Sequence, residues 1–128
     1  MALVTHIEWS EKPLVVYNVH IESRGNDELR ASQLRDLVDD ADRYATDVPV
    51  LIAGDFNFDL SRKGVVEPFQ IPFNHGKFRP TTTQSRFDSG RAVDWILFRG
   101  PLEDATPEVH DRVRASDHYP LSLILKLK

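Results

Sequence analysis

The chain has 128 residues, of which 41% are hydrophobic and 28% charged, and it contains no cysteine. This length favours a single domain over residues 1–128, and the composition excludes a disordered or fibrous chain. The apolar runs are far shorter than the roughly 20 residues of a transmembrane helix, and the absence of cysteine excludes disulfides and thiolate chemistry. No cationic and apolar leader precedes Leu3, which favours a cytoplasmic location, with a signal farther upstream left open.

The net charge of −4 is concentrated in one segment of the chain. Between Asn26 and Asp47, seven acidic residues outnumber three basic ones and account for the whole net charge. The rest of the chain is neutral overall, and the stretch from residue 75 to 99 is locally basic. An anionic substrate can therefore be bound there, although the acidic total disfavours a generally basic nucleic-acid-binding surface.

Two β-strands joined by a turn are predicted at the start of the chain. Residues 3–9 alternate in polarity, and residues 14–21 are rich in β-branched side chains. The period of two gives the second strand one face that carries Asn18 and His20 and an opposite face that is apolar. Both faces are predicted to be largely buried, as in a sheet covered on two sides.

An amphipathic helix is predicted after the break at Gly25. Asn26 is a suitable N-cap, and Asp27 and Glu28 are favourable in a first helical turn. Apolar residues then recur every three or four positions to about Tyr44, with the acidic residues on the opposite side. The short apolar run 48–53, which ends at a glycine, predicts a central strand.

The second half of the chain has a less regular pattern. Three prolines and three phenylalanines between residues 61 and 83 predict an ordered loop beside a site. Residues 92–98 predict a strand, residues 103–114 a loop or short strand, and residues 119–128 a closing strand. The predicted architecture is therefore α/β, with five or six strands and one main helix.

Four polar clusters lie within the predicted strands or at their ends. They are Asn18-x-His20, Gly54-Asp55-Phe56-Asn57, Asp94-Trp95-Ile96 and Ser116-Asp117-His118-Tyr119-Pro120. Each has a structural explanation when taken alone. These explanations are a polar pair in a covered sheet, a strand-ending turn, an ion pair between Asp94 and Arg91, and a turn before the last strand.

Together, the carboxylates, the amide and the two histidines suit the hydrolysis of a phosphate ester with a hard divalent cation. Mg²⁺ prefers oxygen ligands and keeps several waters, so one or two protein carboxylates and the substrate phosphate suffice to bind it. A carboxylate or imidazole can take the proton of the attacking water. A cationic histidine held by an aspartate would stabilise the extra charge of the transition state.

The four clusters, in this order along the chain, resemble the endonuclease/exonuclease/phosphatase superfamily. That group includes pancreatic deoxyribonuclease, the apurinic/apyrimidinic endonucleases, neutral sphingomyelinases and inositol polyphosphate 5-phosphatases. The resemblance implies a deoxyribonuclease-like fold, a four-layer α/β sandwich of which this chain would be the C-terminal half, with a mostly antiparallel sheet and one main helix. It also implies a metal-dependent phosphoesterase that acts by in-line attack of water.

The resemblance implies a role for each matching residue. Asp55 would orient or deprotonate the nucleophilic water, and Asn57 would hold a phosphate oxygen. His118 would contact the scissile phosphate, with Asp94 positioning its ring. Asp117 would bind the metal directly or through water.

The remaining expected contacts concern the substrate and the cofactor. His20 would bind phosphate and supply a proton to the leaving group, with Asn18 supporting it. Arg24, Arg86 and Arg91 are added as substrate-phosphate contacts from charge and position. The expected cofactor is Mg²⁺, with Mn²⁺ as an alternative. Nucleic acid, phospholipid and inositol phosphate all stay open as substrates.

One departure from the superfamily pattern affects the expected activity. Superfamily members are usually longer, and their first half supplies an Asn and a metal-binding Glu that no motif here matches. The alternative function is therefore a catalytically incomplete half-domain that at most binds a phosphorylated ligand. Because one helix cannot cover both faces of an apolar sheet, we expect the chain to form a homodimer or to be completed by an N-terminal half.

Overall fold

The computed structural model describes residues 1–9, 11–60, 70, 78–80, 91–103 and 106–128. These residues form a mixed α/β fold in which a five-stranded sheet packs against one helix. The sheet contains β1 (Ala2–Trp9), β2 (Lys12–His20), β3 (Val50–Asp55), β4 (Arg79–Pro80) and β5 (Asp94–Arg99). Its strand order is β1-β2-β3-β5-β4.

The predicted N-terminal hairpin is confirmed. β1 and β2 pair antiparallel from Ala2 opposite Val19 to Trp9 opposite Lys12. β2 then pairs parallel with β3, and β3 pairs antiparallel with β5, so β3 lies at the centre of the sheet. Parallel pairing of β2 and β3 requires a crossover connection, which the helix between them provides.

The helix α1 (Asp27–Ala41) begins where the sequence predicts it. The Asn26 side chain accepts a hydrogen bond from the Leu29 backbone N–H at 3.0 Å, which is the N-cap arrangement. The helix ends three residues before Tyr44, and Asp42 is its C-cap. No basic residue occupies its last turn; instead, the buried Arg99 of β5 donates to the Ala41 carbonyl oxygen.

The hydrophobic core lies between α1 and one face of the sheet, called the core face here. The helix contributes Leu34 and Val38, both 1% exposed, together with Ala31 and Ala41. The sheet contributes the odd-numbered side chains of β2 and the apolar side chains that line up with them on the neighbouring strands: Val15, Tyr17, Val19, Val50, Ile52, Trp95 and Leu97.

The opposite face of the sheet is only partly covered, so the prediction that both faces are largely buried is wrong for this face. Leu3, Ile7 and Trp9 of β1 are 66%, 42% and 40% exposed. On β2, Leu14 and Val16 beside them are half-buried. The physical reason is that α1 packs against the core face alone. We call this apolar surface of β1 and β2 the open face.

The end of the chain differs from the predicted single strand over residues 119–128. It forms two short strands, β8 (Leu121–Ser122) and β9 (Lys126–Leu127). β8 pairs with β7 (Glu108–Val109), and β9 pairs with β6 (Leu102–Glu103), in two separate ribbons. Since each half has its own partner strand, the strand is interrupted over residues 123–125, although half-buried and exposed residues continue to alternate through it.

Most of the loop predicted for residues 61–83 lies outside the described residues, as does Arg86. Within that loop, Phe78 is described and is 3% exposed, so it belongs to the core. Among the described residues, no helix has the length and hydropathy needed to cross a membrane.

Candidate active site

The strand register brings three of the predicted site residues into one row across the sheet. His20 lies opposite Asp55 in the parallel β2–β3 pair. Asp55 lies opposite Asp94 in the antiparallel β3–β5 pair. Directly paired residues in a sheet share a face, so these three side chains project to the same side at one end of their strands. His20 Nε2 lies 3.8 Å from Asp55 Oδ2.

His118 completes the row from the loop that precedes β8. Its Nδ1 lies 2.8 Å from Asp94 Oδ2, and its Nε2 lies 4.0 Å from Asp55 Oδ2. Because an ionised carboxylate only accepts hydrogen bonds, His118 Nδ1 donates to Asp94, and its Nε2 is oriented toward Asp55. The side chains of Asp55, Asp94 and His118 are 19–23% exposed, so these three residues are partly shielded but open to a ligand.

Asn57 fixes the carboxylate of Asp55 through the turn that follows β3. Its backbone N–H donates to Asp55 Oδ1 at 2.7 Å, and its side-chain Nδ2 donates to the Ile21 carbonyl oxygen at 3.0 Å. The turn requires a left-handed backbone at Asn57, with φ of 50°, which asparagine tolerates better than most residues. As Oδ1 is engaged, Oδ2 is the oxygen that faces both histidines.

Gly54 allows the close approach of β2 and β3 immediately beside the site. Its φ is +140°, and a Cβ at this position would lie 2.0 Å from the Val19 carbonyl oxygen. A side chain therefore cannot be accommodated without moving one strand. The glycine of the Gly-Asp-Phe-Asn motif thus places Asp55 relative to His20.

A buried arginine supports the segment that follows His20. Arg30, 8% exposed, donates from Nε to the Glu22 carbonyl oxygen at 2.8 Å and from Nη2 to the carbonyl oxygens of Ser23 and Arg24. It also forms an ion pair with Asp27 at 2.7 Å. These bonds tie the end of β2 to α1. The Arg24 side chain itself is exposed.

The other predicted substrate residues lie at the rim or beyond it. Asn18 is exposed on the same side of β2 as His20, two residues before it along the strand and opposite Ala53. Arg91 is exposed three residues before Asp94. Arg86 lies outside the described residues. The roles of these three residues and of Arg24 stay predictions.

The donor set fits a divalent cation. Asp55, Asp94 and His118 each offer one ligand atom, and the three atoms lie within 4.8 Å of one another. Carboxylate oxygens are the donors that Mg²⁺ and Mn²⁺ favour. Asp117 is exposed, its Oδ1 lies 3.4 Å from Ser116 Oγ, and it is not a member of this cluster among the described residues. Its metal-binding role stays a prediction.

Two supporting groups were not predicted from the sequence. The Ile21 carbonyl oxygen accepts a hydrogen bond from the Asn57 side chain. Because every residue has a backbone carbonyl, the residue type at position 21 gives no indication of this contact. Ser116 accepts the His118 backbone N–H at 3.1 Å through its Oγ, a local turn that orients the histidine loop. The Ser-x-His spacing is typical of such hydroxyl turns and was the available signal.

Comparisons with known proteins show which fold and which family the chain resembles. No curated protein sequence matches the chain significantly. Among solved structures, an endonuclease/exonuclease/phosphatase from Beutenbergia cavernae is 19% identical with a TM-score of 0.78, and the match covers 98% of this chain and 39% of that one. A humanized D. rerio TDP2 carrying 14 mutations is 18% identical with a TM-score of 0.77, covering 98% and 60%. Beta toxin from Staphylococcus aureus is 19% identical with a TM-score of 0.65, covering 98% and 56%.

These likenesses show the fold, and the chain spans between 39% and 60% of the length of the three structures. The sequence profile of the Endonuclease/Exonuclease/phosphatase family matches residues 4–118, which is most of the chain and contains all four polar clusters up to His118. The activities in that family's name all hydrolyse phosphate esters. The chain therefore belongs to the endonuclease/exonuclease/phosphatase family.

Proposed function

We propose that this chain carries the catalytic residues of a Mg²⁺-dependent phosphoesterase, with Mn²⁺ as an alternative cation, that hydrolyses a phosphodiester or phosphomonoester. The observation that supports this most strongly is the row His20, Asp55 and Asp94 with His118 bonded to Asp94. It joins a carboxylate with one oriented oxygen to an imidazole whose ring is oriented by a second carboxylate.

Asp55 acts as the base toward the attacking water. Its Oδ1 is held by the Asn57 N–H, so Oδ2 accepts the proton of a water placed between the carboxylate and the phosphate. Holding one oxygen fixes the direction of the other, which lowers the cost of aligning base, water and phosphorus.

His118 binds the phosphate oxygen that gains charge. Asp94 holds the Nδ1 side of the ring, and in the cationic form of the ring Nε2–H donates to a non-bridging phosphate oxygen. Asn57 uses Nδ2 for the Ile21 carbonyl oxygen, and the second N–H of the same amide is oriented by that bond to meet another phosphate oxygen.

His20 delivers the proton to the leaving group. Its side chain is 66% exposed at the rim of the row, which suits a group that exchanges protons with solvent between turnovers. Asp117, as the sequence predicts, and Asp94 would hold the cation, which would neutralise phosphate charge while Asp55 takes the proton of the water.

A second candidate function is binding of a phosphorylated ligand without cleavage. It is favoured by the composition of the three-residue ligand cluster, which contains no glutamate among the described residues. In that case equilibrium binding of a nucleotide or inositol phosphate persists in EDTA, while no turnover is measured.

The test is hydrolysis of bis(p-nitrophenyl) phosphate with and without Mg²⁺. We expect Asp55→Asn and His118→Gln each to lower kcat by about 100-fold or more, the range that general acid–base groups typically contribute. The control variants are Asp39→Asn, at an exposed position of α1, and His110→Gln, directly after β7. They remove the same chemical groups elsewhere and should retain wild-type turnover. Equal turnover in all four variants would refute the assignment.

A further inference from the structure

A cavity of about 320 Å³ lies next to the dyad of Asp94 and His118, and these two residues line one end of it. The rest of its wall is largely apolar and comes from β3, β5 and the segment that follows His118. Ala53, Ile96, Tyr119 and Leu121 contribute to this wall. The mechanism proposed above makes no use of this cavity.

The register of the sheet places the cavity directly behind the catalytic row. Ala53 and Ile96 lie opposite each other in the β3–β5 pair, two residues from Asp55 and Asp94 respectively. Two residues along a strand span roughly 6.6 Å and return to the same face of the sheet. A group attached to a phosphate that is bound at the row of His20, Asp55 and Asp94 can therefore extend along the same face of the sheet into the cavity.

One wall of the cavity is held in place by a charged neighbour. Arg114 Nη1 donates to the Tyr119 hydroxyl at 2.8 Å, and its guanidinium carbon lies 5.3 Å from the centre of the tyrosine ring. The bond and the cation–π contact together restrain the ring. A restrained aromatic wall favours a ligand group of fixed shape over a flexible one.

The size and charge of the cavity restrict what can occupy it. Its volume is about twice the roughly 150 Å³ of an engineered apolar cavity that takes up benzene, so one or two fused rings fit. Among the described residues that line it, none is a lysine or arginine. Arg114 contacts Tyr119 without lining the cavity, and the largely apolar wall favours an uncharged group over a second phosphate or another anionic group.

We propose that this cavity binds an uncharged, apolar and preferably aromatic ester group of the substrate, so that the chain selects phosphate esters carrying such a group beside the scissile phosphate. The inference rests on the proposed phosphoesterase function and adds the substrate class to it. Ala53 and Tyr119 are then specificity-determining residues, since they shape the cavity without contacting the reacting atoms.

The test uses methyl, phenyl and 1-naphthyl p-nitrophenyl phosphate, assayed with Mg²⁺. These diesters share one leaving group, and their uncatalysed rates correct for intrinsic reactivity. After correction, we expect kcat/KM for the two aryl esters to exceed that of the methyl ester by roughly tenfold, the effect of burying part of an aromatic ring.

Ala53→Phe fills the cavity and should reduce the ratio of kcat/KM for the aryl esters to that for the methyl ester to about twofold or less. Ile124→Phe adds the same side chain at a position that is 74% exposed and should keep the preference. If Ala53→Phe does not fold, Leu121→Ala replaces it. This change removes one wall and should weaken the phenyl preference severalfold.

A binding measurement separates failure of this inference from failure of the proposed function. Calorimetric titration with phenyl phosphate and methyl phosphate needs no turnover, and phenyl phosphate should bind roughly tenfold more tightly. If all diesters are hydrolysed at equal corrected rates, the inference is overturned and the function stands. If no diester is hydrolysed, the proposed function fails. In that case, tighter binding of phenyl phosphate than of methyl phosphate, lost in Ala53→Phe, still supports the inference. Equal binding of the two phosphates overturns it.

Discussion

Replacing Gly54 by alanine tests whether the close approach of β2 and β3 holds the site together. The added Cβ would lie 2.0 Å from the Val19 carbonyl oxygen, and the backbone has a φ of +140° that L side chains rarely adopt. Relieving the clash requires the strands to separate by about 1 Å, which stretches adjacent ladder bonds beyond hydrogen-bonding range. Two such bonds at about 1 kcal/mol each, with at least 1 kcal/mol of backbone strain, give a destabilisation of about 3 kcal/mol.

Gly25 provides a matched control for this substitution. A Cβ built there meets no atom within 4 Å, so Gly25→Ala should change the free energy of unfolding by no more than about 0.5–1 kcal/mol. Urea denaturation followed by tryptophan fluorescence measures both variants, since Trp95 is 2% exposed in the folded chain and becomes exposed on unfolding. Loss of a cooperative transition in Gly54→Ala also agrees with the prediction. A Gly54→Ala variant within 1 kcal/mol of Gly25→Ala would refute the reasoning.

Three further predictions address the dyad, a buried phenol and the open face. Asp94→Asn removes the charge that holds His118 Nδ1–H. Because a hydrogen bond to a charged group contributes about 1.5–3 kcal/mol, kcat should fall about 10- to 150-fold with little change in KM. An unchanged kcat would contradict this. Burial, reinforced by Asp40, raises the pKa of Tyr17 above its ordinary 10.0, so the stability that this group contributes is complete below pH 10 and is lost as the pH rises above it. Tyr17→Phe should cost about 1 kcal/mol at neutral pH and weaken the loss of stability above pH 10, and an unaltered alkaline profile in denaturation experiments would argue against this. The exposed apolar side chains of the open face predict self-association of the chain, which light scattering should detect. Ile7→Glu should abolish this association. A wild-type chain that stays monomeric at every concentration would exclude it.

Local signals in the sequence predicted the elements that have a strong pattern of their own. The Asn26 cap and the hydrophobic period specify α1, and the β-branched run specifies β2. The polar clusters were predicted to lie in strands or at their ends, and Asp55 and Asp94 do lie at the ends of β3 and β5. These features depend on neighbours within a few residues, and residue type alone records them.

Features that depend on distant partners could not be predicted in this way. The row of His20, Asp55 and Asp94 follows from strand register, which the separate motifs do not encode. The alternating leucines at the end of the chain predict one strand, yet β8 and β9 find different partners. Burial of the even-numbered face of β2 was predicted from composition, but burial requires a covering layer, which residue type does not reveal.

The most direct test of the central claim is the Mg²⁺-dependent hydrolysis of bis(p-nitrophenyl) phosphate by the wild type and by Asp55→Asn, purified in parallel. Asp55 is the residue at which the oriented carboxylate oxygen, both histidines and the turn at Asn57 meet. We predict turnover by the wild type that EDTA abolishes and that Asp55→Asn lowers by about 100-fold or more. Absence of turnover in the wild type, or equal turnover in both proteins, would contradict the account.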